Sequence, residues 1–98
     1  MQAVRIAING YGRIGRCVLR AIYERQLEQE LEVVAINEPA DLETMAYLTQ
    51  FDSTHGVFPG KVGRSENSLL INGKAIQVFH HTQPDAVDWQ ALDIDILL

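Results

Sequence analysis

The sequence predicts an α/β fold: a Rossmann-type, doubly wound, mostly parallel sheet, of which the chain carries an incomplete N-terminal part. Three observations predict it. The apolar run Val4 to Ile8 breaks directly into glycines spaced G-x-G-x-x-G, at Gly10, Gly12 and Gly15. An amphipathic helical pattern comes next, and a second apolar run, "LEVVAIN", then ends at an acid, Glu38. Strand, glycine turn, helix and strand make a βαβ unit, whose strands run parallel with a right-handed crossover.

Each element follows from its residues. Val4 to Ile8 is β-branched and apolar and reads as a buried strand. Ile14, Val18, Leu19, Ile22 and Tyr23 recur at three- and four-residue steps, one apolar face of a helix over Arg13 to Gln26. The second strand is expected from Glu32 to Asn37. Asp41 is placed to cap a shorter helix carrying Leu42, Met45, Ala46, Leu48 and Thr49 and ending near Asp52. "DSTHG" has the composition of a loop. Asn72-Gly73 between two apolar runs is a hairpin turn, with strands expected at Leu69–Ile71 and Ala75–Phe79. "TQPDAVDWQAL" reads as a loop with one or two helical turns. "DIDILL" reads as a buried parallel strand at which the sequence stops, so the 98 residues are expected to be part of one domain, with the catalytic domain outside them.

Composition excludes several classes of function. With 47% hydrophobic and 21% charged residues the chain is globular in character. A net charge of -5 opposes a nucleic-acid surface, because phosphate binding draws on Lys and Arg. No window approaches the roughly 20 apolar residues that span a bilayer, and the N-terminus reaches glycine before a signal-peptide core forms. The single cysteine, Cys17, has no partner for an internal disulfide and suits a reducing, cytoplasmic location.

The glycine turn points to a dinucleotide. Gly10 allows the tight turn out of the strand, Gly12 lets backbone approach a pyrophosphate, and Gly15 lets helix and strand pack closely. The amides of Arg13 and Ile14 lie at a helix N-terminus, where free N–H groups and the dipole favour phosphate. Glu38 lies 23 residues beyond Gly15, near the spacing of about 20 expected for a ribose-binding acid. Its carboxylate accepts from the 2′- and 3′-hydroxyls and repels a 2′-phosphate, so the expected cofactor is NAD rather than NADP. Other residues carry bland readings. Cys17 is read as a small core or interface residue, and His55 as a turn or interface residue. His80 and His81 would point to opposite faces of a strand and hold no metal. Glu24, Glu28, Glu30 and Glu32 are read as a solvated face.

"INGYGRIGR", "VVAINE" and "DSTHG", in that order, closely resemble the N-terminus of the phosphorylating glyceraldehyde-3-phosphate dehydrogenases, and the likeness covers almost the whole chain. Within that family "RAIYE", "INEPAD" and "VFHH" look most like the erythrose-4-phosphate dehydrogenase branch. The resemblance implies oxidation of a sugar-phosphate aldehyde. A catalytic cysteine attacks the aldehyde, hydride passes to NAD, and the thioester is hydrolysed or taken by phosphate. It implies that the erythrose branch makes 4-phosphoerythronate for pyridoxal 5′-phosphate biosynthesis, while the alternative is the glycolytic enzyme. Both are homotetramers. A third reading is a non-catalytic NAD-binding module. The family's cysteine lies in an "SCTTNC"-like segment that these 98 residues lack, so they carry no catalytic residue, Cys17 does not replace it, and the chain by itself is expected to be inactive. Carried over by motif, Arg13 and Ile14 match backbone contacts to NAD and Glu38 matches the ribose acid. Thr82 matches an arginine on the adenine side, a contact that survives if made by main chain and is lost if made by the guanidinium.

Overall fold

The computed structural model describes residues 3–52, 56–83 and 87–98. Strand β1 (Val4–Asn9) leads into helix α1 (Arg13–Glu24), then β2 (Leu31–Asn37) and α2 (Leu42–Gln50). Short strands β3 (Phe51–Asp52) and β4 (Gly56–Val57) come after them. An antiparallel meander is next: β5 (Val62–Ser65), β6 (Ser68–Ile71) and β7 (Lys74–Phe79). A 3-10 turn (Gln90–Leu92) precedes β8 (Ile96–Leu97).

The main sheet has the order β5-β6-β7-β2-β1-β8. Its β7-β2-β1-β8 part is parallel, as the βαβ reading requires, and β5 and β6 extend it antiparallel. The chain leaves β1 for β2 on one side and returns to β8 on the other. That reversal of strand order opens a crevice at the carboxyl ends of the strands, where open α/β sheets bind ligands. Ile6, Ile8, Leu19, Ile22, Val33 and Ile36 form the centre of the core, continued under the meander by Leu69, Ile71 and Ile76.

The elements differ from the sequence reading at identifiable places. Helix α1 stops at Glu24 rather than Gln26, because Gln26 turns into the left-handed region at φ 58°. Ile14 leaves the expected apolar face and stands 81% exposed in the first turn of the helix. Helix α2 begins as expected, with the Asp41 carboxylate accepting from the Thr44 N–H at 2.7 Å. That bond holds the exposed Asp41 carboxyl below its usual range, and the charges of Arg64 and His80 act in the same direction. The helix ends at Gln50, not near Asp52: Phe51 is already extended and pairs with Val57 in the two-stranded β3–β4 sheet. Of "DSTHG", Ser53, Thr54 and His55 lie outside the described residues.

The Asn72-Gly73 hairpin forms as read, with both residues left-handed (φ 53° and 84°) and Ile71 opposite Lys74. Strand β5 is an element the sequence pattern does not announce, since its turn through Glu66-Asn67 lacks the glycine that marks the other one. "DIDILL" does form a parallel strand, yet Ile96 and Leu97 are 44% and 48% exposed. Strand β8 pairs with β1 alone and forms the margin of the sheet, so one edge and part of its faces stay uncovered. Helices long and apolar enough to cross a membrane are absent among the described residues.

Candidate functional site: the carboxyl edge of the parallel sheet

The site is assembled from the carboxyl ends of β1, β2 and β7. Their register is locked by side chains that sequence reasoning passes over. Asn9 and Asn37 stand opposite each other on β1 and β2. The Asn37 amide donates to Asn9 Oδ1 at 3.0 Å and to the His81 carbonyl at 3.2 Å. Its own carbonyl oxygen Oδ1 accepts from the His81 N–H at 3.0 Å. Backbone bonds complete the edge: Gly10 N–H to the Asn37 carbonyl at 2.7 Å, and Glu38 N–H to the Phe79 carbonyl at 2.8 Å.

The glycine turn leaves this edge. Gly10 has φ 94°, a conformation that costs a side-chain-bearing residue strain. At Gly15 a Cβ would lie 2.9 Å from both the Gly10 carbonyl and Ile8 Cγ2, so glycine is what lets α1 press against β1. At Gly12 a Cβ would meet nothing within 4 Å and would extend into open space above the turn. Gly12 is also the N-cap of α1 and supplies no side-chain cap. The first N–H groups of a helix have no intrahelical partner. Here no acid stands in the first turn to occupy them, while Arg13 is exposed beside them. This donor set suits a pyrophosphate.

Glu38 sits opposite the turn, at the end of β2. Its carboxylate accepts from the Tyr11 N–H at 2.7 Å and from the Ala40 N–H at 3.0 Å. A carboxylate has about four acceptor positions, so these two bonds fix its orientation and leave capacity for two hydroxyls. The placement of turn, helix N-terminus and acid therefore fits the pyrophosphate and ribose of a dinucleotide. The remaining sequence candidate, Thr82, lies exposed just past His81, beyond the end of β7.

Tyr11 holds the turn from below. Although it lies between two glycines, its ring is buried, 3% exposed. The Thr49 hydroxyl donates to the Met45 carbonyl at 2.7 Å, which leaves its oxygen to accept from the Tyr11 hydroxyl at 2.5 Å. Burial pushes the Tyr11 phenol up to about 12, against smaller opposing effects of the Arg16 and Arg20 charges. Helix α2 is in turn tied to α1 by Arg20, a guanidinium only 2% exposed. It donates to the Thr49 and Gly56 carbonyls, both at 3.0 Å, and lies 5.6 Å over the Phe58 ring.

Two bland readings gain detail. Cys17 is a half-buried thiol on α1 rather than a core residue, in a shallow cavity of about 230 Å³ with Arg20 and Glu24. The acids read as a solvated face include two in ion pairs: Glu32 meets Lys74 at 2.8 Å and Arg5 at 3.6 Å, and Glu24 meets Arg20 at 3.4 Å. His80 and His81 lie just past the end of β7 rather than on the strand. His81 stacks on Phe79, with ring centroids 6.2 Å apart.

A family model described as "Glyceraldehyde 3-phosphate dehydrogenase, NAD binding domain" matches residues 4–98. The chain belongs to that family. It is 50% identical over 94 residues to a protein named glyceraldehyde-3-phosphate dehydrogenase from Thermotoga maritima. That match covers 96% of this chain and 28% of the relative, so the chain spans under a third of its relative's length. Membership of the glyceraldehyde-3-phosphate dehydrogenase family makes the cofactor NAD and places the chain in an oxidoreductase family. The crevice at the carboxyl ends of β1 and β2 has a helix N-terminus and an oriented acid that fit such a cofactor. The cofactor and the βαβ unit that forms this edge are both legible in the sequence. Tyr11, Asn37, Thr49 and Arg20 are not, because no local pattern marks a residue whose partner lies tens of positions away.

Proposed function

We propose that the chain is the NAD-binding part of an enzyme that oxidises a sugar-phosphate aldehyde, with D-erythrose 4-phosphate as substrate and 4-phosphoerythronate as product. The product would feed pyridoxal 5′-phosphate biosynthesis in the cytoplasm. The residues carried by the proposal are Gly10, Gly12, Arg13, Ile14 and Gly15 around the pyrophosphate, Glu38 on the adenosine ribose, and Thr82 towards the adenine. NAD supplies the hydride acceptor. The chain's own part is to bind and orient it, while the aldehyde-attacking cysteine and its histidine are contributed from outside these 98 residues. A homotetramer is the proposed assembly.

One observation carries the cofactor reading: the Glu38 carboxylate is held by two backbone N–H groups opposite the glycine turn. A 2′-phosphate placed there would face a fixed anion, which is costly. Glu38→Ala in the protein as its gene encodes it is expected to weaken NAD binding about tenfold while leaving NADP binding within about twofold, by loss of charge-assisted bonds. Calorimetry with both cofactors checks this, and equal affinities in the unaltered protein would refute the role of Glu38.

The erythrose assignment rests on "RAIYE", "INEPAD" and "VFHH". A second reading, the phosphorylating glyceraldehyde-3-phosphate enzyme, is favoured by the name of the 50%-identical relative. Steady-state rates with each aldehyde, with and without inorganic phosphate, separate the two. Preference for erythrose 4-phosphate without a phosphate requirement supports the first. Phosphate-dependent turnover of glyceraldehyde 3-phosphate supports the second.

A further inference from the structure

The segment that carries Glu38 contains a proline, and this creates a gap in its support. Glu38 donates its N–H to the Phe79 carbonyl, which continues the β2–β7 ladder by one residue. Pro39 has no N–H, so the ladder cannot continue through it. The Ala40 N–H turns back to the Glu38 carboxylate instead. That leaves the carbonyls on either side of the proline, those of Glu38 and Ala40, to be held from elsewhere.

His80 holds both. Its Nδ1 lies 2.9 Å from the Glu38 carbonyl oxygen and 2.9 Å from the Ala40 carbonyl oxygen. Both partners are acceptors, so Nδ1 carries the proton and its N–H is shared between them. The imidazole is exposed and stands one residue past the end of β7. Its position is set by the ladder below it and by Asn37, which grips both backbone groups of the next residue, His81. A side chain just past the end of one strand thus clamps the loop at the end of the neighbouring strand, across Pro39. The loop it clamps is the one that aims the Glu38 carboxylate.

We propose that His80 is a positioning residue for cofactor selection: it fixes the Glu38-Pro39-Ala40 backbone so that the Glu38 carboxylate faces the ribose hydroxyls. The proposal rests on the reading of Glu38 as the ribose acid. Removing the imidazole frees the loop to rotate about the proline. The carboxylate then keeps its charge but loses its aim, which reduces the advantage of a ribose hydroxyl over a 2′-phosphate. Discrimination between NAD and NADP suffers more than overall binding does.

The test uses the protein as its gene encodes it, titrated with NAD and with NADP. His80→Ala is expected to raise the Kd for NAD about 3- to 10-fold, the scale of one or two hydrogen bonds, and to move the NAD:NADP ratio towards parity. His80→Asn, whose Nδ2 stands near the place of the imidazole Nδ1, is expected to restore most of the ratio. Combining His80→Ala with Glu38→Ala is expected to cost little more than Glu38→Ala alone, because both act through one carboxylate. If His80→Ala does not fold, His80→Leu keeps the volume without the donor and carries the same comparison. A clamp that served stability alone would weaken both cofactors equally and add to Glu38→Ala, and that result overturns the proposal. If Glu38→Ala leaves the ratio unchanged, the reading of Glu38 itself falls. If Glu38→Ala shifts the ratio and His80→Ala does not, only the clamp falls.

Discussion

Tyr11 shows how a residue in the middle of a glycine turn can be structural and functional at once. Its N–H orients Glu38, its ring closes the core beneath the turn, and its hydroxyl reaches Thr49. The phenol is held at about 12 in the fold and ionises near 10 when unfolded. Between these values the unfolded chain has released a proton that the folded chain retains, so stability falls as pH rises. The contribution is complete below about pH 10 and is lost as pH climbs through about 12, at most about 2–3 kcal/mol. Tyr11→Phe is expected to cost about 1 kcal/mol at pH 8 through the lost hydrogen bond, and to flatten the alkaline decline relative to the unaltered protein. Urea unfolding at pH 8 and pH 11 measures both, and parallel declines for the two proteins would refute the assignment. In the sequence this position is only the spacer between Gly10 and Gly12. An aromatic side chain there is informative only once a buried hydroxyl partner, 38 residues away, is known.

Between elements, Arg20 connects α1 to α2 by chemistry that neither helix holds alone. The last carbonyls of a helix lack intrahelical partners and carry the negative end of the dipole. Helix α2 has no basic residue in its last turn. Arg20 of α1 supplies that charge, donating to the Thr49 carbonyl and to the Gly56 carbonyl of β4. Arg20→Met keeps most of the stem but removes the donors, leaving the buried Thr49 carbonyl unpaired, and is expected to cost about 2–4 kcal/mol. A urea midpoint shift equivalent to less than about 0.5 kcal/mol would show that water replaces the guanidinium. The loss should also loosen Thr49, and through Tyr11 the cofactor turn. The helices themselves were legible from apolar spacing and from the Asp41 cap. Their ends were not: Gln26 takes a left-handed turn, and Phe51 enters a two-residue strand pairing with Val57. The first is a local cap, with the Gln26 and Leu27 N–H groups closing on the Tyr23 and Ile22 carbonyls and no glycine to announce it; the second depends on a partner strand, which apolar spacing does not encode. Ile14 broke its helical pattern: it stands exposed in the first turn of α1, where the buried Gly15 makes the contact with β1.

Across the whole molecule, local order in the sequence accounts for the class of fold and for the cofactor. Alternating and periodic apolar residues, Gly10 at a left-handed turn, Gly15 at a close approach, Asn72-Gly73 at a hairpin and an acid after the second strand are short-range signals. Each acts through its own backbone conformation or its immediate neighbours. They determined that a βαβ unit forms, that its turn presents helix N–H groups, and that Glu38 directly follows the second strand. Tertiary structure alone decided how the edge becomes a site. It set Asn9 against Asn37, turned Tyr11 inward to Thr49, brought Arg20 to a helix end, and placed His80 across Pro39 from Glu38. Those contacts join residues 28 to 42 positions apart, and their strength depends on burial and geometry that exist only when the strands lie side by side.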